Sequence, residues 1–316
     1  MLAATTSRAH HLARSCVGAF ARELSRASSS VPTPPRPLVP SRRARFSRGP
    51  SRRSRALAGM AATADVGTRS SSAIVAAAES FVREELSAMD GSHDWWHVDR
   101  VRKTALSLAA EERVPVASLE VVELAALLHD VRDWKYSGDR DAGERAVRAF
   151  LERHAYDPER LEAVVDIVAN VGFKNELPSD DDGSPSPGGS TANANATRSP
   201  EFRVVQDADR LDAMGAIGIA RTFCYGGAKK NPMHVPGVEP RVEMTRAQYE
   251  AAQRGGGGEE DGGEARPNTV VNHFHEKLLT LRGLMKSDAG RRRAEKRHET
   301  MLQFLKTFHA EWDGVE

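Results

Sequence analysis

The segment Val121–Val131, which reads VVELAALLHDV, constrains the fold more than any other feature of the sequence. It predicts an apolar helix that ends in the adjacent residues His129 and Asp130. Burying an imidazole and a carboxylate at the end of a hydrophobic run costs free energy unless a partner compensates, and a metal ion would do so. The alternative is an exposed helix end at which Asp130 caps the following turn.

From about residue 70 onward, apolar residues recur every three or four positions, which is typical of helices. The predicted fold class is therefore all-α, a helical bundle. Ser118, Asp157 and Ser199 are candidate N-caps, and Pro158 and Pro200 suit a first helical position. The predicted helices are Ser71–Met89, Trp96–Glu112, Ala117–Asp130, Asp141–His154, Asp157–Val171, Pro200–Tyr225, Asn268–Met285 and Asp288–Trp312.

Two segments interrupt the helical pattern, at about residues 179–199 and 233–267. The first combines acidic residues with Pro, Gly, Asn and Ser, and the second contains consecutive glycines at 255–258. Both compositions are typical of surface loops or disordered insertions. Because apolar helices continue on both sides and must share a core, we expect one domain at residues 70–316.

Residues 1–65 have a different composition, rich in Arg, Ser, Ala and Pro, with Glu23 as the only acidic residue before Asp65. This predicts a transit peptide for a chloroplast or mitochondrion. A disordered basic tail on a cytoplasmic protein is the alternative. Basic clusters such as Arg52–Arg53 could also serve as a nuclear signal or contact nucleic acid, but no aromatic residues interleave with them.

Charge and hydropathy exclude several partners. No apolar run approaches the roughly 18 residues that span a bilayer, so no membrane partner is expected. The net charge of +1 combines a basic leader with a mildly acidic remainder, so no nucleic-acid partner is expected either. Cys16 and Cys224 cannot form a disulfide framework and offer no thiolate metal site.

A second candidate helix, HVDRVRKTALSLAAEE, begins with His97. A side chain in its first turn can project past the core toward a neighbouring helix end. Arg100 follows three residues later on the same side and could hold a phosphate. His93 precedes His97 by four residues in a second His-Asp dipeptide, so both imidazoles could face one ion.

A third candidate, VVQDADRLDAMGAIGIA, places three carboxylates among apolar residues. On a helix, Asp209 and Asp212 share one side, while Asp207 points elsewhere. A solvated helix face does not explain three acids in so apolar a segment.

Together these motifs resemble the HD-domain phosphohydrolases, whose pattern is H…HD…D. The matching residues are His97, His129–Asp130 and Asp209. The chain is similar in particular to bacterial HD hydrolases and nucleotide pyrophosphohydrolases over about Phe81–Trp312. That similarity runs through SHDWWHVDRV, AALLHDVRDWKY, VVQDADRLDAMGAIGIARTF and NHFHEKLLTLRGLMKS.

The resemblance implies one divalent ion held by His97, His129, Asp130 and Asp209. Mixed nitrogen and oxygen ligands suit octahedral Mn²⁺, or alternatively Mg²⁺, Co²⁺ or Fe²⁺, better than a closed structural zinc site. The family pattern takes the histidine followed by V-x-R-V, so His93, in a turn, is assigned to substrate or to a structural hydrogen bond. Relatives with two metals add histidines between HD and the last Asp in a pattern that is not seen here.

Further site residues follow from the same resemblance. Asp133, at the third position after HD, would orient the attacking water and act with Asp130 as a catalytic residue. Lys135, Arg140 or Arg210 could neutralise phosphate. For each of these the alternative is a solvated loop charge.

The segment VVNHFHEKLL could return a helix N-terminus to the pocket. Its candidates are His273, His275 and Lys277, and we favour His275 for substrate binding. Two histidines spaced by two residues point to different sides of a helix, so at most one reaches the pocket.

Aromatic residues flank both histidine motifs and could stack a nucleobase or form core. They are Trp95, Trp96, Trp134 and Tyr136.

The leading hypothesis is hydrolysis of a small phosphorylated metabolite, in particular a nucleotide, with release of pyrophosphate from a nucleoside triphosphate. Arg100 and Lys135 would bind its phosphates. A phosphodiesterase or guanosine-tetraphosphate hydrolase is the second hypothesis, and a binding protein with a purely structural metal is the third. The sequence is compatible with a homodimer as well as with a monomer.

Overall fold

We describe residues 72–132, 138–139, 141–178, 198–253 and 266–315 of the computed structural model. The predicted leader and the predicted site residues Asp133, Lys135 and Arg140 lie outside these ranges, as do Trp134 and Tyr136. Within them the structure is helical and contains no β-strand, as predicted. No helix in these ranges combines the length and hydrophobicity that crossing a membrane requires.

Ten α-helices lie within the described ranges. They are α1 (Ala73–Glu85), α2 (Trp95–Glu111), α3 (Leu119–Leu128), α4 (Ala142–Arg153), α5 (Pro158–Asn170), α6 (Pro200–Asp212), α7 (Gly215–Ala228), α8 (Arg246–Gln253), α9 (Val270–His273) and α10 (Asp288–Asp313). A 3₁₀ turn spans Phe173–Glu176, and a π-helical turn at Phe274–Leu278 and a 3₁₀ turn at Thr280–Leu284 follow α9.

Helix α3 is the centre of the core. It packs against α1, α2, α5 and α6, and its residues from Leu124 to Leu128 have no exposed surface. An apolar helix without a polar face requires such burial on several sides. His129, directly after α3, is itself buried, so the exposed helix end considered from the sequence is wrong.

The predicted helix Pro200–Tyr225 is two helices. α6 ends at Asp212, and α7 begins at Gly215, whose φ of +67° is a conformation that other residues rarely adopt. A Cβ at Gly215 would also lie 3.0 Å from side-chain atoms of Arg297. The break places Asp209 and Asp212 in the last turn of α6.

Two further expectations are corrected. The segment predicted as one helix, Asn268–Met285, is instead the short α9 followed by the π-helical and 3₁₀ turns. The predicted loop at 233–267 contains α8, whose Tyr249 is buried because this helix packs on the turn at Phe173–Glu176. Asp157 and Ser199 cap their helices as predicted, but Ser118 makes no capping hydrogen bond because it lies in a 3₁₀ turn.

Two buried carboxylates attach α6 to the start of α10. Asp207 accepts hydrogen bonds from the backbone N–H of Lys286 (2.8 Å), the backbone N–H of Ser287 (2.7 Å) and the Ser287 hydroxyl (2.6 Å). Glu176 lies 2.5 Å from the Arg210 guanidinium and 2.8 Å from the Lys286 ammonium. These carboxylates compensate two cations that the fold removes from water.

Replacing Glu176 with Gln should lower the free energy of unfolding by about 3–5 kcal/mol, because Arg210 and Lys286 would remain buried without their counter-charge. Urea denaturation followed by circular dichroism measures the loss. The control is Glu295→Gln, since Glu295 and its partner Arg282 are both about half exposed and should contribute much less. Equal midpoints for the two variants would contradict the assignment.

Candidate metal centre

Three helix ends meet at one point and bring the four predicted metal ligands together. His97 lies in the first turn of α2, where Asp94 caps the helix by accepting a hydrogen bond from the His97 backbone N–H. His129 and Asp130 follow the last turn of α3. Asp209 lies in the last turn of α6.

The four side chains point at one another. Nε2 of His97 lies 3.2 Å from Nε2 of His129 and 3.2 Å from Oδ2 of Asp130. Oδ1 of Asp209 lies 3.6 Å from each of these two imidazole nitrogens. The ligand atoms of His97, His129 and Asp209 all fall within 4.8 Å of one another, a separation that one cation can bridge.

Outer contacts fix which nitrogen of each histidine faces the centre. Nδ1 of His97 lies 2.7 Å from Oδ2 of Asp212, and Nδ1 of His129 lies 2.9 Å from the Ala126 carbonyl oxygen. Because both oxygens can only accept, each Nδ1 donates, and each neutral imidazole keeps a lone pair on Nε2. Metal-binding histidines have this arrangement.

The donor set fits a divalent cation. Two Nε2 lone pairs 3.2 Å apart repel each other unless a positive charge lies between them. Oδ2 of Asp130 is buried and makes no hydrogen bond with any described residue. Two imidazoles and two carboxylates are ligands that Mn²⁺, Fe²⁺, Co²⁺ and Mg²⁺ accept to different degrees.

The carboxylates also favour positive charge electrostatically. Burial lowers the pKa of His129, but the carboxylates of Asp130 and Asp209 outweigh burial and raise it to about 9. Burial raises the pKa of Asp212, but hydrogen bonds from His97 and Arg100 outweigh it and lower the pKa to about 2. A proton or a metal ion is therefore held here across the neutral pH range.

The centre opens into a cavity of about 410 Å³. His93 lines it beside His97, with its Nδ1 2.7 Å from the Ser92 hydroxyl, so both roles considered for His93 remain compatible with its position. Arg210 also lines the cavity, but its guanidinium is buried against Glu176 and donates to the Leu284 carbonyl.

Two residues expected at the substrate lie elsewhere. Arg100 does not line the cavity, because its guanidinium donates to both oxygens of Asp212 at 2.8 and 3.0 Å and is neutralised there. His275 is exposed and lies near His309, because the π-helical turn directs Lys277 to the cavity instead. Neither takes the phosphate-binding position expected of it.

Trp95 and Trp96, the two described tryptophans of those that flank the histidine motifs, do not line the cavity. Trp95 is buried in the core under the Arg83 guanidinium, and Trp96 is 61% exposed. Phe173 and Tyr249, which were not expected from the sequence, line the cavity among the residues that the structure describes. Their ring centroids are 5.3 Å apart in an edge-to-face arrangement.

Asp212 and Arg221 also lie at the centre, although neither was assigned a role from the sequence. Arg221 donates to the Ser92 carbonyl, lies 3.4 Å from Asp212 and lines the cavity. The i, i+3 spacing of Asp209 and Asp212 was the signal that one carboxylate could meet the ion while the other orients a ligand.

Comparison with protein families supports this geometry. The model of the HD domain matches residues 95–214, a range that contains all four side chains. The uncharacterised protein YpgQ of Bacillus subtilis is 31% identical over 236 residues, which are 75% of this chain and 92% of YpgQ.

Solved structures show the same fold. A protein of Lactobacillus plantarum is 30% identical, with a TM-score of 0.61 over 76% of this chain and 97% of its own. An HD-superfamily hydrolase of Bacillus thuringiensis is 35% identical, with a TM-score of 0.50 over 76% and 96%. YpgQ has been crystallised with ADP, and that structure is 28% identical, with a TM-score of 0.51 over 77% and 100%.

Replacing Asp212 with Asn should weaken Mn²⁺ binding by about 10–100-fold, because His97 would lose the carboxylate that orients it and strengthens it as a ligand. Calorimetric titration of the metal-free protein measures the dissociation constant. Asp166→Asn is the control, since Asp166 is exposed, pairs with Arg198 and does not line the cavity. An unchanged dissociation constant in Asp212→Asn would contradict the proposed role.

The stabilisation that Mn²⁺ provides should grow with pH between 6.5 and about 9. Without metal, protonated His129 contributes stability that is complete below its unfolded pKa and is lost as pH rises through the folded pKa. Metal must displace that proton, so it binds more tightly as the proton leaves. The shift in unfolding temperature on adding Mn²⁺, measured anaerobically at each pH, reports this stabilisation. In His129→Gln the shift should no longer grow with pH, whereas in His154→Gln it should grow as in the wild type. A difference that shrinks with pH would refute the prediction.

Proposed function

This chain belongs to the HD superfamily of metal-dependent phosphohydrolases, and from that premise we propose that it cleaves a phosphoanhydride bond in a small nucleotide, releasing pyrophosphate from a nucleoside triphosphate. The observation that carries the proposal is the convergence of His97, His129, Asp130 and Asp209 at the floor of an open cavity. A structural metal site would be closed by its ligands.

Mn²⁺ is the proposed ion, since the donor set mixes two imidazole nitrogens with carboxylate oxygens. When bound, such an ion lowers the pKa of water and neutralises negative charge on a phosphate. The chain's own residues orient the site. Asp212 holds His97 from behind, and Arg100 and Arg221 hold Asp212 in turn.

The nucleotide part of the proposal rests on two supports. The relative YpgQ, 31% identical to this chain, was crystallised with ADP. The cavity also has the volume of a small-molecule site and combines cationic side chains with the aromatic residues Phe173 and Tyr249. Asp133 is proposed to orient the attacking water, on the family resemblance.

The test is an assay of the full chain with Mn²⁺ against nucleoside tri-, di- and monophosphates, a cyclic nucleotide and guanosine tetraphosphate. We expect nucleoside monophosphate and pyrophosphate as products from a triphosphate. Removing two ligands in His129→Ala/Asp130→Ala should lower kcat/KM by about a thousandfold or more, because a catalytic metal supplies several kcal/mol of transition-state stabilisation.

The matched control is His154→Ala/Asp166→Ala, which removes one exposed histidine and one exposed aspartate that do not line the cavity. It should keep wild-type activity. Ring opening or loss of a 3′-pyrophosphate would instead identify the phosphodiesterase or guanosine-tetraphosphate activity. Activity that survives in the His129/Asp130 double variant would refute the site.

A further inference from the structure

Part of the cavity lining comes from three segments that are distant in sequence. Phe173 comes from the 3₁₀ turn after α5, Tyr249 from α8, and Lys277 from the π-helical turn. All three line the same cavity as His97 and Asp209. The segments contact one another, since α8 packs on the 3₁₀ turn that carries Phe173.

Lys277 is seated on the two rings. Its Nζ lies 5.2 Å from the centroid of the Phe173 ring and 6.0 Å from that of Tyr249. The aromatic faces attract a cation, by about 0.5–2 kcal/mol, but they do not neutralise its charge. The ammonium therefore keeps its capacity to donate hydrogen bonds to an anion.

No described carboxylate pairs with Lys277. Its sequence neighbour Glu276 is held by Arg241, whose backbone N–H and Nε both donate to Glu276 Oε1 at 3.0 Å. Glu250, on the neighbouring helix α8, lies 3.3 Å from Arg246. These two described acids, which lie adjacent to Lys277 in sequence or on the neighbouring helix, are thus engaged elsewhere.

The arginines that line the cavity differ from Lys277 in this respect. Arg221 pairs with Asp212, Arg210 with Glu176, and Arg132 with Glu85. Arg246, the fourth arginine among the described lining residues, lies 3.3 Å from Glu250. All four charges are balanced by protein carboxylates. A partly buried cation that faces a cavity without such a partner is suited to an anionic ligand.

The π-helical turn explains how Lys277 reaches this position. An extra residue in one turn rotates the following side chains relative to a regular α-helix, and such turns occur frequently at functional sites. Here the turn leaves His275 exposed and directs Lys277 toward Phe173 and Tyr249. Tyr249 itself belongs to the segment that composition predicted to be a loop.

We infer that Lys277, seated on Phe173 and Tyr249, binds the phosphate groups of the substrate that are not attacked at the metal centre. The inference rests on the proposed function and assigns to Lys277 the phosphates that distinguish a nucleoside triphosphate from a monophosphate. One phosphate lies at the helix ends, and the adjoining ones extend along the cavity to Lys277.

Calorimetric titration of the Mn²⁺-loaded full chain with inorganic tripolyphosphate and inorganic phosphate tests the inference by affinity rather than by turnover of a nucleotide. Lys277→Met and Lys277→Gln should each weaken tripolyphosphate binding about tenfold or more, since a charge-assisted hydrogen bond is lost. Lys277→Arg should keep most of the affinity. Inorganic phosphate, which the metal centre alone can hold, should lose much less. Lys306→Met, at an exposed lysine on α10, is the control.

Kinetics provide a second readout, in which the same variants should raise KM for a nucleoside triphosphate more than they lower kcat. The inference is overturned if tripolyphosphate binds the neutral variants as it binds wild type. It is also overturned if the Arg variant binds as poorly as the Met variant, which would indicate a purely structural lysine. A wild-type protein that binds tripolyphosphate through Lys277 but hydrolyses no phosphate compound would refute the proposed function and leave this inference standing.

Discussion

The repulsion between two imidazole nitrogens is the constraint on which the rest of this structure depends. Outer hydrogen bonds to Asp212 and to the Ala126 carbonyl leave the Nε2 lone pairs of His97 and His129 facing each other at 3.2 Å. Only a positive charge between them makes that geometry favourable. The helices that carry them are held by the hydrophobic core, so the fold imposes the juxtaposition and a proton or metal ion relieves it.

Helix α6 connects this centre to the rest of the molecule, because its polar residues serve two networks. Asp209 and Asp212 face the histidines, while Asp207 and Arg210 attach the helix to the start of α10 and to the turn at Phe173–Glu176. Burying these charges in an apolar helix would cost free energy, and each network supplies the charges of α6 with partners of opposite sign or with hydrogen bonds. The position of Asp209 is consequently fixed by contacts that do not involve the metal centre.

The sequence predicted the features that depend on local pattern. The apolar run before His129 predicted a buried helix, and the spacing along VVQDADRLDA predicted that Asp209 would face a different side from Asp207. It could not predict which cations the fold neutralises: Arg100 satisfies the spacing rule, yet it pairs with Asp212 on another helix. The π-helical turn, which leaves His275 exposed and directs Lys277 to the cavity, depends on tertiary packing rather than on composition.

The helix ends at the metal centre favour a cation and disfavour an anionic substrate. The carboxyl ends of α3 and α6 both point to the centre, and their dipoles favour a positive charge there, in addition to the carboxylates. The amino end of α2, which would oppose a cation, is capped by Asp94. A substrate phosphate meets a negative protein field at this point and needs positive charge from elsewhere. The metal ion supplies it at the ends of α3 and α6, and Lys277 supplies it at another part of the cavity lining, where no described carboxylate pairs with it.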